Sequence, residues 1–438
     1  MGEPRRGVLH PITAVAAGAL AVVLAACSPA GGQTGGSGAN SAQPQATGTQ
    51  TVEFWTVNLK SKFGSYVEGV IKGFEAKNPS VKVKWVDAPG IDMSTKLLAA
   101  LASGNPPDAV NLASSEVDKF VPALADLGQY IPADKQKAYS ANLIDSLRRN
   151  GKLIAIPWYN AGPPILIYNK EVFQKAGANA APTTIADGLK VGVDIYAKTG
   201  IYGVGDFPSY TVLEQMGVNL LSDDHKKAAF NTPEAAAQIQ KWVDAFKAKG
   251  VVPDILVPDP ALRQQTVGNG QVAMEMQVGG FQLKSYEENA PDVFAKLDVA
   301  PAATGVDGKY YLPGQQTFVI PAKSTKQKAA ADLIAYFTTA ENQLAFAKLV
   351  SIFPSTPETL KDPLFTRGGT TLADKARAVS VKEMPKLFDG ALGTGVDHQL
   401  SDFFDVAMRD ALSGKKSPAQ ALDAAASEWD KVLATVGK

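Results

Sequence analysis

The stretch TVEFWTVNLKSKFGSYVEGVIKGFEAKNPSVKVKWV, residues 51–86, decides the fold. Its first seven residues, 51–57, predict a strand because β-branched and aromatic side chains dominate them. Apolar residues then recur at helical spacing over 66–74, and Asn78-Pro79 ends that helix. Apolar residues alternate with lysines over 81–85, which predicts a half-exposed strand. A strand, a helix and a strand in this order are typical of a βαβ unit.

The same alternation of strands and helices continues along the chain and predicts an α/β fold with mainly parallel sheets. A second α/β unit begins with a buried strand at 165–168, and the last part of the chain is helical. Thr232-Pro233 and Ser417-Pro418 each predict the start of a helix, because a hydroxyl N-cap precedes a proline at the first helical position. Trp242 and Trp429 fall on the apolar stripes of those helices and are expected in the core. Two α/β units with a helical C-terminal tail suggest two lobes, and the crevice between them is a natural ligand site.

Composition excludes several classes of protein. At 438 residues the chain is too long for one core, so more than one domain-sized unit is expected. The 43 Lys and Arg balance the 43 Asp and Glu, which argues against a nucleic-acid partner held by a whole-molecule basic field, although a local patch stays possible. One cysteine and three scattered histidines predict no disulfide, no metal site and no metal cofactor.

The N-terminus predicts export. Arg5-Arg6 precede the apolar run 12–26, which is shorter than the roughly 20 residues of a membrane-spanning helix and is typical of a secretory signal. Residues 24–27, Leu-Ala-Ala-Cys, resemble a bacterial lipobox, which implies a signal peptide at 1–26 and a lipid on Cys27. An ordinary free cysteine or a plain signal peptide is the alternative. The two arginines also loosely resemble a twin-arginine export signal, or are simply the basic start of any signal peptide.

Residues 27–50 predict a flexible tether. From residue 28 onward they are rich in Gly, Ser, Ala, Gln and Thr and carry no charged side chain, so they offer too little apolar surface to fold. No later apolar run is long enough to span a bilayer, so the folded part is expected to be soluble, near a membrane and free to reorient.

Four groups of motifs, in this order, resemble the maltose-binding-like family of bacterial ABC-importer solute-binding proteins, also called extracellular solute-binding family 1. The resemblance covers nearly the whole mature chain. The motifs are FWTV (54–57) with FEAKNPSVKVKW (74–85), ASGNPPDAVNLASSEVDKFVPALADL (102–127), LIAIPWYNAGPPILIYNKEVFQKAGA (153–178), and GQVAMEMQVGGF (270–281) with FVIPAKSTKQKAAADLIAYFTTAENQLAF (318–346).

The resemblance implies a periplasmic-binding-protein-like fold with two discontinuous lobes. Lobe one would hold 51–160 and 302–350, and lobe two would hold 161–301 and 351–438. The chain would cross between them near 160–164, near Pro301 and near 352–355. Such lobes close on a ligand by a hinge motion.

The implied function is reversible binding of a sugar or oligosaccharide and its delivery to the membrane permease of an ABC importer. The protein would then be a monomer without enzymatic activity, held by its lipid at the outer face of the cell membrane or in the periplasm. The same fold binding a non-sugar solute, or serving as a sensor or adhesin, is the alternative. A lipid-anchored glycoside hydrolase is a weaker hypothesis, since it needs two carboxylates at a set separation, and no G-x-S-x-G, H-E-x-x-H or P-loop motif occurs.

Sugar ligands need aromatic rings against their C–H faces and polar side chains for their hydroxyl groups. Position in the resembling motifs, or by analogy at the end of a predicted strand, therefore predicts the ligand contacts. Packing in a core is the alternative for Trp158 and Phe281, and a solvated helix N-terminus is the alternative for Glu116. His398 is expected at the surface. The predicted ligand contacts are Asn58, Ser114, Ser115, Glu116, Trp158, Tyr159, Asn160, Asp206, Tyr210, Phe281, Gln315 and Gln316.

Overall fold

The computed structural model describes residues 48–259, 262–312 and 314–436. The predicted signal peptide, Cys27 and the tether up to residue 47 lie outside the described residues. In the described part of the chain the strands are β1 (Gln50–Val57), β2 (Val81–Ala88), β3 (Ala109–Ala113), β4 (Arg148–Arg149), β5 (Lys152–Leu153), β6 (Ile156–Asn160), β7 (Ile165–Asn169), β8 (Tyr202–Val204), β9 (Val272–Val278), β10 (Leu297–Pro301), β11 (Tyr310–Leu312), β12 (Gln316–Val319), β13 (Phe353–Pro354) and β14 (Leu387–Asp389).

Helices follow most of these strands. They are α1 (Lys60–Lys77), α2 (Gly90–Ala102), α3 (Ser114–Val117), α4 (Ala133–Gln136), α5 (Ala141–Asp145), α6 (Lys170–Ala176), α7 (Ile185–Thr199), α8 (Tyr210–Gln215), α9 (Pro233–Lys247), α10 (Gln282–Asn289), α11 (Pro291–Phe294), α12 (Gln327–Phe337), α13 (Ala340–Ala347), α14 (Pro363–Thr366), α15 (Leu372–Glu383), α16 (Asp397–Leu412) and α17 (Pro418–Leu433).

Two main sheets organise the fold. One has six strands in the order β13-β6-β12-β3-β1-β2, and the other has four in the order β10-β7-β9-β8. Pairs β1–β2, β1–β3 and β8–β9 are parallel, whereas β12, β6, β13, β7 and β10 pair antiparallel with their neighbours. We call the part built on the six-stranded sheet the first lobe and the part built on the four-stranded sheet the second lobe.

Each lobe has its own core. In the first lobe, β1 and β3 pack against α1 and α12 through a cluster that includes Phe54, Phe74 and Phe337. In the second lobe, α6, α7, α9, α16 and α17 cover one face of the sheet. Helices α10 and α15 lie against its other face, where Leu283 and Ala376 are buried beside Ile165. Helices on both faces of a sheet are the expected way to bury an α/β sheet.

Local sequence signals explain the helix ends. The Thr232 hydroxyl accepts the Ala235 amide at the start of α9, and Ser417 and Gln420 form a reciprocal capping box at the start of α17. Trp242 and Trp429 are buried, so the core predictions for both are confirmed. Among the described residues, we find no helix with both the length and the apolar character that a bilayer span requires.

Residues 384–396, which we call the strap, connect α15 to α16 and lie against both lobes. Strand β14 of the strap pairs in parallel with β11. The Asn142 side-chain amide of the first lobe donates to the Leu387 carbonyl, and Tyr210 of the second lobe donates to the Gly390 carbonyl at 3.4 Å. Gly395 has a φ of +73°, and a Cβ there would lie 3.0 Å from the Lys119 backbone nitrogen. Glycine therefore permits the strap to approach the first lobe closely.

Candidate functional site

A cavity of about 430 Å³ opens where β8 and β9 end in the second lobe. The carboxyl ends of parallel strands are where open α/β sheets bind ligands. Its walls come from the loop after β8, the end of β9, the crossing residue Pro164, and β11. The lining residues that matter below are Asp206, Phe207, Arg263, Glu275, Tyr311, Leu312 and Asp405.

Asp206 joins the ends of the two parallel strands. It follows β8 by two residues, and its carboxylate accepts the backbone amides of Met276 at 2.7 Å and Gln277 at 2.9 Å in β9. Burial raises the pKa of Asp206 to about 6, although the two amide bonds act in the opposite direction. The predicted site residue Asp206 is therefore in the cavity wall, with its oxygens held by β9.

Glu275 lies in the same wall and carries a second carboxyl group. Its Oε2 accepts the Tyr286 hydroxyl at 2.7 Å. Burial, together with the charge of Asp206, raises the pKa of Glu275 to about 7, although the Tyr286 bond lowers it. The cavity wall thus contains two carboxyl groups, and the charge of Asp206 disfavours the ionisation of Glu275.

The Phe207 ring and Arg263 form another part of the wall. The Phe207 ring is half-buried, and the guanidinium carbons of Arg263 and Arg409 lie 5.7 and 5.8 Å from its centroid. Asp405 faces them from α16, and burial raises its pKa to about 6. No group of three or more His, Cys, Asp or Glu in the described ranges is placed to hold a metal ion.

The first lobe presents a different surface near this cavity. Ser114, at the start of α3, accepts the Gln315 backbone amide at 2.9 Å. The Gln315 side-chain nitrogen donates to the Leu143 carbonyl at 2.9 Å and lies 3.2 Å from both the Ser146 hydroxyl and the Asp389 carboxylate. The structure therefore brings the predicted residues Ser114 and Gln315 together.

Asp389, in the strap, connects the two surfaces. One of its oxygens accepts the Ala391 amide at 3.0 Å, and the carboxylate also bonds the Ser114 hydroxyl and Gln315. Burial raises its pKa despite these bonds. In the β11–β14 ladder Asp389 is opposite Leu312, which lines the cavity. The Ser114–Gln315 surface and the cavity are thus neighbours.

Three further predicted residues lie at the end of β6 and the start of β12. Asn160 is buried, and its side-chain oxygen accepts the Gly162 amide at 2.7 Å. Tyr159 is half-buried and paired with Gln316, and burial raises its pKa to about 12. Gln316 accepts a bond of 3.0 Å from the Asn111 side chain. These residues lie beside the Ser114–Gln315 surface, at the same end of the six-stranded sheet.

Two predicted contacts are buried in the cores. Trp158 has 0 % of its surface exposed, and its ring stacks on Phe346 at 5.0 Å and 16° beside Phe318 and Phe337. Tyr210 is 4 % exposed and packs in the core of the second lobe near Trp429. Both side chains belong to the cores, because each is enclosed by apolar neighbours from several elements.

The other predicted residues are separate from the cavity. Phe281 is 57 % exposed and lines a narrow apolar groove with Phe353 and Phe365. Asn58 is exposed after β1. Ser115 is half-buried, and Glu116 binds the Ser94 hydroxyl and, at 2.7 Å, Lys119. His398 is exposed, as expected.

Sequence analysis missed Phe207, Glu275, Arg263, Asp405 and Asp389. Glu275 carried a usable signal, because it is the single charged residue in the apolar strand VAMEMQV, and a buried charge in a strand demands a partner. Asp389 follows only two apolar residues in a short strand, and no local pattern indicates its partners in the first lobe.

Comparison with known proteins agrees with this architecture. Residues 58–344 match the sequence profile of the bacterial extracellular solute-binding proteins. The chain belongs to this family. It is therefore the extracytoplasmic solute-binding component of an ABC importer, and it is not an enzyme.

Two relatives are similar over most of their length. An uncharacterised ABC transporter extracellular-binding protein of Pyrococcus horikoshii is 23% identical over 368 residues, 79% of this chain and 80% of the relative. The sn-glycerol-3-phosphate-binding periplasmic protein of Escherichia coli is 23% identical over 422 residues, 89% of this chain and 93% of the relative.

Solved structures confirm the predicted α/β fold with two lobes. A periplasmic-binding protein of Synechococcus sp. MITs9220, provisionally assigned to oligosaccharides, is 25% identical with a TM-score of 0.74 over 87% of this chain and 99% of that chain. The cyclic alpha-maltosyl-1,6-maltose binding protein of Arthrobacter globiformis is 23% identical with a TM-score of 0.72 over 87% of this chain and 98% of that one.

Proposed function

We propose that this solute-binding protein takes a sugar or oligosaccharide between its two lobes and delivers it to the membrane permease of its importer. The observation that carries the proposal is the cavity of about 430 Å³ at the ends of β8 and β9, which combines the Phe207 and Tyr311 rings with hydrogen-bonding groups. Rings suit the C–H faces of a sugar, and the polar groups suit its hydroxyls. The similar protein of Arthrobacter globiformis, named for its cyclic maltosyl-maltose ligand, supports the same class.

The charges of the cavity favour a neutral ligand over a phosphate ester. Three carboxyl groups, those of Asp206, Glu275 and Asp405, line it together with one cation, Arg263. Bringing a phosphate next to these carboxyl groups would be opposed by like-charge repulsion in a poorly solvated site. Glycerol 3-phosphate, the ligand named for the Escherichia coli relative, is therefore a poorer match than a sugar.

The proposal includes a hinge between the lobes. We place lobe one at 51–160 and 302–350 and lobe two at 161–301 and 351–438. Gly162 supports the first crossing point, because it has a φ of +78° and a Cβ there would lie 2.2 Å from the Phe353 ring. Any larger residue would have to displace the Phe353 ring beside this crossing.

The ligand contacts we propose are those predicted residues that are not enclosed by the apolar side chains of a core. Trp158 and Tyr210 are left out because they are buried in the cores. Phe207 and Glu275 are added because they line the cavity. The set is Asn58, Ser114, Ser115, Glu116, Tyr159, Asn160, Asp206, Phe207, Glu275, Phe281, Gln315 and Gln316.

A thermal-shift and calorimetric screen tests the ligand class. The panel contains maltose, maltotriose, cyclic maltosyl-maltose and tagatose, with glycerol 3-phosphate and a tripeptide as competitors. At about one hundred times its Kd, a bound sugar should raise the melting temperature by roughly 3 °C. A response to glycerol 3-phosphate or the tripeptide alone would refute the sugar proposal while leaving the family unchanged.

We also propose that Cys27 carries the lipid that holds the protein at the membrane. The support is the sequence pattern at 24–27 and the absence of any other cysteine. Mass spectrometry of the mature protein should find an acylated N-terminal Cys27, and Cys27→Ser should move the protein from the membrane to the soluble fraction. A membrane-bound Cys27→Ser protein would contradict the anchor.

A further inference from the structure

Two buried leucines anchor the strap, one in each lobe. Leu387 packs with Leu143 of the first lobe in a small cluster that also contains Ala302 and Phe353, which lie near two of the proposed crossings. Leu392 belongs to the core of the second lobe. Burial of an apolar side chain fixes each leucine in its own lobe. The strap therefore passes from the hinge region to the second lobe between these two residues.

Beyond Leu392 the strap returns to the first lobe through two glycines. Gly393 has a φ of +70°, and a Cβ there would lie 3.4 Å from Asp118 Oδ2 and 3.5 Å from Arg149 Nη2. A Cβ on Gly395 would lie 2.6 Å from Lys119 Cγ. The missing side chains permit this close approach. We call the approach of Gly393 and Gly395 to Asp118, Lys119 and Arg149 the strap contact.

The first-lobe side of the strap contact is a charge with a fixed orientation. The Arg149 guanidinium donates to the Asp118 carboxylate through Nε at 2.6 Å and through Nη2 at 2.8 Å. Its Nη1 also donates to the Ser146 carbonyl at 2.7 Å. A bidentate pair between arginine and a carboxylate restricts the guanidinium to one plane. Arg149 is therefore held by its own lobe and presents Nη2 to the strap.

The strap side of the contact is fixed to the second lobe by Asp397, the first residue of α16. Its carboxylate accepts the Leu392 amide at 2.7 Å and the Thr394 amide at 3.1 Å. The Thr394 hydroxyl donates to the same carboxylate at 2.6 Å. Helix α16 packs in the core of the second lobe. The loop around Gly393 is therefore tied to that lobe.

Electrostatics favours the strap contact as long as Arg149 is present. The hydrogen bonds with Asp118 raise the pKa of Arg149, and the charges of Asp118, Asp389 and Asp397 raise it further, although burial lowers it. Burial raises the pKa of Asp397, and the charge of Asp118 acts in the same direction, although its hydrogen bonds oppose the change. Arg149 thus attracts Asp397 and offsets the repulsion between Asp118 and Asp397.

A cavity of about 370 Å³ lies beside the strap contact and has walls from both lobes. Asp118 and Arg149 line it on the first lobe, and Asp224 and Leu433 line it on the second. Asp118 follows Ser114 by four residues, so the strap contact is at the same end of the six-stranded sheet as the candidate site. Because opening of the cleft would widen this gap, the contact requires the lobes to stay together.

We propose that the strap contact holds the two lobes together, and that Arg149 is the positioning residue that sets how readily the cleft opens. This inference rests on the hinge of the proposed function and refines it. None of the five residues of the strap contact belongs to the proposed set of ligand contacts. The strap contact therefore acts on ligand affinity through the equilibrium between open and closed lobes.

Two variants remove the strap contact in different ways, and each has a matched control. Arg149→Gln removes the charge, whereas Gly395→Ala pushes the strap away from the first lobe without changing any charge. Arg148→Gln is the control for the first variant, since Arg148 is the preceding residue and forms its ion pair within its own lobe. Gly414→Ala is the control for the second. Gly414 has a similar φ of +78°, and no described residue lies within 4 Å of its Cβ position.

Distances between spin labels in the ligand-free protein test the contact directly. The labels are attached by Lys152→Cys and Lys226→Cys in a Cys27→Ser background. Both lysines are exposed: Lys152 lies opposite Arg149 in the β4–β5 pair, and Lys226 lines the second-lobe side of the cavity. Arg149→Gln and Gly395→Ala should shift the distances to longer values. Both controls should keep the wild-type distribution.

Calorimetry with the sugar that binds wild type in the screen above gives a second measurement. Both variants should bind it about fivefold more weakly, because more of the binding free energy is used to close the lobes. Raising the salt from about 0.05 M to about 0.5 M should weaken binding to wild type roughly threefold, since salt screens the attraction at Arg149. Arg149→Gln should not show this weakening, whereas Arg149→Lys, which keeps the charge, should.

The outcomes separate this inference from the proposed function. Unchanged label distances in both variants would overturn the strap contact as the group that holds the lobes together. Lower melting temperatures with wild-type distances would make Arg149 a structural residue of the first lobe, and would also overturn it. If Arg149→Gln does not fold, Gly395→Ala carries the same comparison. If wild type binds no sugar, the proposed function is refuted, and the label distances still test the strap contact.

Discussion

The two surfaces of the cleft are built on different principles. On the first lobe, neutral amides and hydroxyls of Ser114, Asn160 and Gln315 are fixed by short bonds to the backbone and the strap. On the second lobe, Asp206 and Glu275 place carboxyl groups with raised pKa values in a cavity. The first surface is suited to orienting a ligand, and the second carries carboxyl groups whose pKa values are raised toward neutrality.

The difference follows from what supports each surface. Ser114, Asn160 and Gln315 of the first-lobe surface lie over an aromatic core around Trp158. This packing leaves them little freedom to move. The cavity wall of the second lobe is formed at the ends of strands. There the backbone amides of Met276 and Gln277 need acceptors, and the Asp206 carboxylate accepts both hydrogen bonds. Four experiments can break or sharpen this contrast.

The largest expected effect is on stability, through the aromatic core beneath the first-lobe surface. Trp158→Ala should lower the free energy of unfolding by about 3–5 kcal/mol, because it removes a fully buried ring from a packed cluster. Denaturant unfolding of the ligand-free protein measures this loss. If Trp158→Ala were to melt like wild type and bind sugar poorly, Trp158 would be a ligand contact and its placement in the core would be wrong.

The next effect concerns the pH dependence of stability that Glu275, in the cavity wall of the second lobe, should produce. Burial raises the pKa of Glu275 to about 7, above the value of about 4.3 for a free glutamate. The stability that its protonated form contributes is therefore fully present below about pH 4.3 and is lost as the pH rises through about 7. Glu275→Gln keeps an acceptor for Tyr286 and has no proton to lose.

Stability curves at several pH values test this directly. Between pH 5 and pH 8, wild type should lose about 1–3 kcal/mol more than Glu275→Gln. Asp206 titrates in the same range, so the comparison uses the difference between the two proteins. Glu288→Gln, which changes an exposed glutamate, is the control and should follow wild type. Parallel curves for wild type and Glu275→Gln would show that Glu275 is ionised throughout.

A smaller effect on folding, with a clear effect on binding, is expected at Phe207. The ring is half-buried in the cavity wall, so Phe207→Ala should reduce stability by about 1 kcal/mol. Sugar affinity should fall about tenfold, because the C–H face of the sugar loses its ring. Calorimetry with Phe207→Leu, which keeps apolar volume without a ring, separates stacking from simple burial. Unchanged affinity in both variants would remove Phe207 from the site.

The smallest expected effect on folding is at Phe281. Because its side chain is 57 % exposed, Phe281→Ala should change stability by no more than about 0.5 kcal/mol. Any loss of sugar affinity would then report a ligand contact near the hinge. Equal affinity for wild type and Phe281→Ala would restrict the site to the cavity and the first-lobe surface.

Much of the fold could be predicted because its signals are local. The cap at Thr232 and the capping box at Ser417 are short-range patterns, and the structure has both. Residues 153–158, LIAIPW, are a continuous apolar run, and all six are buried. Trp158 lies in this run, and its prediction as a ligand contact rests on its position in the family motif.

The site was harder to predict because its partners are distant in sequence. Gln315 meets Ser114 across about 200 residues, and Asp389 reaches it from the strap. Nothing in the residues around Asp389 indicates that β14 pairs with β11, since both strands are only three residues long. Such pairings depend on tertiary packing, which local patterns do not specify.

The most direct test of the central claim is a crystal structure of the protein with the sugar that binds in the screen. The account predicts sugar density in the cavity beside Phe207 and Asp206, with the lobes closed and the first-lobe surface at Ser114 and Gln315 in contact with the same molecule. Sugar bound elsewhere, with the cavity free of it, would contradict the account.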